Sequence, residues 1–108
     1  MTLAQARRFA LSLPEVTEEP HFDKQSFRVN RKIFATVPPG GEHLHVFVEE
    51  RAARVAVRDD PRAFELLRWG VRLVGVRVTL CAADGASVSE LLEASWRRRA
   101  PKRLIARV

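Results

Sequence analysis

QSFRVNRKIFATV, Gln25 to Val37, places two short runs of β-branched and aromatic residues on either side of a polar dipeptide. Gln25 to Val29 alternates, with Phe27 and Val29 on one side and Ser26 and Arg28 on the other. Period-two patterning of this kind predicts a half-buried strand. Asn30-Arg31 then predicts a tight hairpin turn, because Asn tolerates positive φ, although Asn-Gly is the stronger signal. Lys32 to Val37 returns as a second strand, and Pro38-Pro39-Gly40-Gly41 ends it.

Outward from this hairpin the chain alternates between strand and helix patterns. His43 to Glu49 predicts a third strand, with Leu44, Val46 and Val48 set against His45 and Phe47. Glu50 to Arg58 suits a helix through Ala52, Val55 and Ala56 and a strand through Val55 and Val57; helix is the expectation. Asp60 as N-cap, Pro61 at the first helical position and Gly70 past the end predict a short helix over Arg62 to Trp69. Val74 to Leu80 alternates as a strand, and Ala82 to Ala86 turns about Asp84-Gly85. Ser87 with Glu90 predicts a capping box opening a helix through Arg99, with Val88, Leu91, Leu92 and Ser95 inward and Pro101 as its stop. Toward the N-terminus, Thr2 and Gln5 form another capping box, ahead of Leu3, Ala6, Phe9, Ala10 and Leu13 at helical spacing. Pro14 closes that helix, and Glu15 to Pro20, acidic and without periodicity, reads as a loop. The assembly implied is α+β, a single antiparallel sheet with helices from both ends of the chain packed on one face.

Length and composition bound the answer. At 108 residues the chain is one domain over 1–108, long enough for a core without metal or disulfides. The lone Cys81 excludes an intramolecular disulfide framework and a multi-cysteine zinc site, and reads as a small core hydrophobe. No apolar run approaches a membrane span and the amphipathic N-terminus is unlike a signal peptide, so the expectation is a soluble, cytoplasmic chain with no membrane partner.

The formal charge is +6, from 19 basic and 13 acidic side chains, and it is unevenly placed. Residues 1–50 carry a net −1 and residues 51–108 a net +7. After Glu93 there is no acid, while Arg97, Arg98, Arg99, Lys102, Arg103 and Arg107 follow. Such asymmetry points to an anionic partner. The competing account is compositional, since Arg outnumbers Lys 16 to 3, as GC-rich coding produces.

Chemistry-bearing motifs are absent: no G-x-S-x-G, no Gly-rich phosphate loop and no paired carboxylates in an acid–base spacing. Glu18-Glu19 reads as a solvated loop. His43 and His45 project from one face of a strand, a spacing that binds Zn or Ni when a third ligand such as His21 joins. No carboxylate or thiol completes the set, so solvent-facing histidines are the default and neither metal nor cofactor is expected. Trp69 and Trp96 each fall near a predicted helix C-terminus, where sealing the core is the first reading and base stacking the second. The sheet face away from the core is predicted to show Arg28, Lys32, Phe34, His45, Phe47, Arg77 and Thr79. Basic and aromatic side chains so mixed resemble single-strand nucleic-acid platforms, while Phe34 and Phe47 fit equally a dimer interface or a site under a helix.

The order of short motifs resembles the MmcQ/YjbR family of small bacterial proteins. The matching pieces are Phe9-Ala10-Leu11-Ser12-Leu13-Pro14-Glu15-Val16, Phe27-Arg28-Val29 leading into Lys32-Ile33-Phe34-Ala35, Asp60-Pro61 with Phe64, Trp69-Gly70 to Val78, and Ala100-Pro101-Lys102-Arg103-Leu104. Similar proteins usually carry Gly where this chain has Arg31. The resemblance implies a fold similar to frataxin-type domains and a DNA-binding role with a "double wing" arrangement, and it brings no catalytic residues.

The leading expectation is therefore a nucleic-acid-binding protein, not an enzyme. Its phosphate contacts are a hairpin tip (Arg28, Arg31, Lys32), Arg77, and a C-terminal cluster (Arg97, Arg98, Lys102, Arg103). DNA is the candidate partner, bound by a monomer or weak homodimer. Neutralising about five phosphates predicts a log–log salt slope near −4.5 and a non-specific affinity of roughly 10⁻⁴–10⁻⁶ M. The alternative is a domain that binds an acidic protein or a small anionic ligand.

Overall fold

The computed structural model describes residues 1–108. The chain runs α1 (Leu3–Ser12), β1 (Thr17–His21), β2 (Lys24–Val29), β3 (Lys32–Val37), β4 (His43–Val46), α2 (Glu50–Asp59), β5 (Phe64–Trp69), β6 (Arg72–Thr79), a 3₁₀ turn (Leu80–Ala82), α3 (Gly85–Arg99) and α4 (Lys102–Ile105). The strands form one six-stranded sheet ordered β1-β2-β3-β4-β6-β5, every neighbouring pair antiparallel. No helix is long and apolar enough to cross a membrane.

The expected α+β architecture is present. One sheet face and the helices enclose a core that includes Phe27, Leu44, Val46, Val76 and Val78 from the strands and Val88, Leu92 and Trp96 from α3. Helix α1 is fixed by the expected capping box, Thr2 accepting from Gln5 N and the Gln5 side chain accepting from Thr2 N. The β2–β3 turn is also as expected: Asn30 and Arg31 sit at φ 52° and 64°, the doubly left-handed turn that matches strand twist. Residues 50–59 are helical, and Val88, Leu91, Leu92 and Ser95 all face inward. Trp96 is fully buried, its indole N–H donating to the Pro14 carbonyl at 3.1 Å.

Several expectations fail, each for a local reason. Residues 64–69 are strand β5 rather than a helix. Phe, Leu, Glu and Arg there suit either state, and pairing with β6 decides it, with Phe64 opposite Val78 and Trp69 opposite Arg72. Asp60 accepts from Ala63 N and Phe64 N in a single closed turn, and Gly70, at φ 61°, belongs to the β5–β6 hairpin rather than to a helix end. Residues 17–21, read as loop, form edge strand β1. An edge pairs on one side only, so it needs no apolar alternation and tolerates Pro20, which lacks a donor. Helix α3 begins three residues earlier than expected, capped by Asp84, which accepts from Ser87 N at 2.8 Å. Cys81 is exposed in the 3₁₀ turn, not part of the core. The short helix α4, which buries Leu104, was not expected.

Two irregularities shape the outer face. A bulge between β2 and β3 pairs Phe27 with Ala35 but Arg28 with Ile33, leaving Phe34 as the extra residue. Phe34 is consequently fully buried in the core rather than outward, Lys32 lies opposite the core residue Val29, and Ile33 takes the outward place. Strand β4 also ends sooner than expected, at Val46. The chain passes so close over β6 that a Cβ on Gly75 would lie 2.1 Å from the Val46 carbonyl oxygen.

Candidate nucleic-acid interface

Across the sheet, Glu19, Ser26, Thr36, His45, Arg77 and Glu65 stand in register as one outward row. Its β2 end is closed by local hydrogen bonds: Ser26 Oγ donates to the Glu19 carbonyl at 2.7 Å, and Arg28 donates to Ser26 Oγ and the Pro20 carbonyl. Its middle is less satisfied. His45 Nε2 and Arg77 Nε are buried without a hydrogen-bond partner, the Glu65 carboxylate being 3.6 Å from Arg77 Nε. Burial, and then the charges of Arg77, Lys24 and His43, push the His45 imidazole down to about 4, so it is neutral at pH 7. Arg77 also reaches His43 Nδ1 at 3.2 Å. His21, His43 and His45 do not gather into a metal-ligand cluster.

Beside this row lies a cleft of about 640 Å³. Its apolar wall includes Ile33, Phe47 and Leu67, and its rim carries Arg68 and Arg72 of the β5–β6 hairpin with Arg98 and Arg99 from the end of α3. Trp69 stands at this rim, 62% exposed, with Phe47 edge-on at 5.5 Å between ring centroids. None of the four arginines has a carboxylate partner. Of the two acids that also line the cleft, Glu50 is held by Arg54 at 2.8 Å.

The expected phosphate contacts are dispersed by comparison. Arg31 and Lys32 are exposed at the β2–β3 tip, while Arg28 is occupied as described. Arg97 is paired with Glu93 at 3.2 Å, and Arg103 makes a two-pronged pair with Glu15 at 2.9 and 3.2 Å, which Arg107 approaches at 3.9 Å. That pairing holds the Glu15 carboxyl below its usual range. Lys102 is exposed and unpaired. Of the C-terminal cluster, only Arg98 reaches the cleft. Arg68, Arg72 and Arg99 were not among the expected contacts. For Arg68 and Arg72 the signal lies in Arg68-Trp69-Gly70-Val71-Arg72, a glycine turn flanked by basic and aromatic residues and obscured by the helix reading; Arg99 lies in the same acid-free run as Arg98.

The fold and this surface define a small α+β domain whose sheet carries a basic, aromatic-rimmed cleft. The chain belongs to the YjbR family, whose model matches residues 11–98. No curated protein matches it.

Proposed function

We propose that this protein binds nucleic acid through the cleft on its outer sheet face, as a binding protein rather than an enzyme. One observation carries the reading: Arg68, Arg72, Arg98 and Arg99, all free of carboxylates, surround an exposed tryptophan. An ion-paired arginine must give up its carboxylate to meet a phosphate, whereas these four have none to give up; only Arg68 makes a hydrogen bond, a long one of 3.4 Å to the Val71 carbonyl at its own hairpin. Arg31 and Lys32 offer a further exposed pair at the β2–β3 tip. Placing the phosphates on the cleft arginines moves the contact surface away from Arg97 and Arg103, which are already neutralised.

Fluorescence anisotropy of a labelled DNA oligonucleotide tests this across a salt series. Four neutralised phosphates correspond to a log–log slope of roughly −3 to −4. Replacing Arg68, Arg72, Arg98 and Arg99 with Ala together abolishes binding, while Arg97→Ala with Arg103→Ala leaves most of it. Absence of binding at low salt, or a flat salt response, refutes the proposal.

A further inference from the structure

We infer that the cleft takes an unpaired nucleotide of a single strand, its base stacked on Trp69 and its flanking phosphates held by the cleft arginines. The inference rests on the nucleic-acid reading above and specifies the form of the ligand. Three features of the site carry it. The first is shape. The surface is concave and about 640 Å³, a size that encloses ligands of small-molecule dimensions. A duplex keeps its bases stacked inside and presents phosphates and groove edges, so it offers nothing that fills such a recess.

The second feature is the tryptophan. Trp69 is 62% exposed while Trp96 is fully buried, so the two indoles of the chain stand in opposite environments, and Trp69 differs from the still more exposed Phe22 and Val71 in lining the cleft. Trp69 does not seal the core. It rises from the end of β5, braced by Phe47, with most of its ring surface open. A braced, solvent-facing ring is what a nucleobase of any identity stacks on.

The third is the placement of charge. Arg72 is the cross-strand partner of Trp69 and Arg68 precedes it, and both line the cleft together with it. Arg98 and Arg99 arrive from a different element, across the cleft. Cations on two sides of a stacking platform suit a backbone that enters on one side of a base and leaves on the other. A lone mononucleotide would engage only one set.

The experiment compares four labelled or competing probes against the intact protein at one low salt concentration: a single-stranded 12-mer, the corresponding duplex, the same-length strand with abasic sites throughout, and a mononucleotide. The 12-mer is expected to bind at least tenfold tighter than the duplex, the abasic strand and the mononucleotide. It should also quench the fluorescence of the exposed tryptophan. Trp69→Ala should weaken the 12-mer roughly 5- to 150-fold, the range for loss of one stacked base. Trp69→Phe should restore most of that affinity, and it removes the quench because Trp96 is shielded. Trp69 is exposed, so both variants fold, and circular dichroism verifies it. Equal affinity for the 12-mer, the duplex and the abasic strand overturns the stacking inference and leaves a phosphate-binding surface. A mononucleotide that competes as well as the 12-mer overturns the strand geometry. Failure of every probe to bind overturns the nucleic-acid reading itself.

Discussion

Gly75→Ala separates the structure from general rules more sharply than any other substitution. In a strand interior, alanine ordinarily improves on glycine by about 0.5–1 kcal/mol, because glycine loses more backbone freedom on folding. Gly75 has an ordinary negative-φ backbone within β6, so the general rule forecasts a gain. The structure forecasts a loss. A Cβ there would lie 2.1 Å from the Val46 carbonyl oxygen and 2.9 Å from Phe47 Cα, both backbone atoms with no rotamer to change. Relief requires the Val46–Phe47 segment to lift by more than an ångström. That movement stretches the bond from Phe47 N to the Phe34 carbonyl and the contact of Ser95 Oγ with the Phe47 carbonyl. Overpacking costs typically 1–3 kcal/mol, and each weakened hydrogen bond about 1 kcal/mol more. The expected net loss is about 3 kcal/mol, or a fall in Tm of roughly 12–20 °C for a domain of this size. Urea and thermal unfolding followed by circular dichroism measure both. A variant as stable as the parent, or more stable, refutes the close approach of β4 to β6.

Arg31→Gly should stabilise by about 1 kcal/mol in the same assay, because Arg31 occupies a left-handed φ of 64° that glycine adopts without a side-chain clash. Ser95→Ala should cost about 1–3 kcal/mol, since the buried hydroxyl shares its proton between the Phe34 and Phe47 carbonyls and its removal leaves both without that donor. His45 supplies a pH dependence. Its folded value of about 4 lies below the ordinary 6.5, so the unfolded chain binds the extra proton; stability is unaffected above about 6.5 and falls as pH drops toward 4. The loss attributable to this group is on the order of 2 kcal/mol, and His45→Gln should remove it, seen as a smaller difference between unfolding free energies at pH 7 and pH 4.5. Glu15→Gln should release Arg103 and Arg107 and strengthen low-salt DNA binding modestly; weaker binding would show that this pair organises the surface instead.

What could be read from the chain and what could not divides along sequence distance. The β2–β3 hairpin was legible because its alternation and its turn lie within thirteen residues, and α1 because its cap is three residues from its partner. Strand β5 was not, because Phe64 to Trp69 contains good helix formers and its state is settled by β6 across the hairpin. The bulge at Phe34 was equally hidden: one extra residue reverses which side chains face inward, and only the pairing partner reveals it. Site residues followed the same division. Counting charge located a basic C-terminal half, yet whether a given arginine is free depends on carboxylates far away in sequence, as with Glu15 and Arg103, 88 positions apart. Arg98 is legible because it sits in an acid-free run, whereas Arg68 and Arg72 flank a glycine turn whose meaning is hidden while residues 62–69 read as a helix.

Ser95 gives the cleft a property that its composition does not convey. The hydroxyl ties α3 to the carbonyl of Phe47, the residue whose ring braces Trp69, and Arg98 and Arg99 follow Ser95 within four positions of the same helix. The aromatic brace and the two helix-borne cations are therefore set relative to one another when the chain folds, by this hydrogen bond together with the core packing of α3 on the sheet. Much of the conformational entropy that a flexible loop would surrender on capturing its ligand has already been lost here, so the recess is preorganised and association needs little rearrangement of its framework.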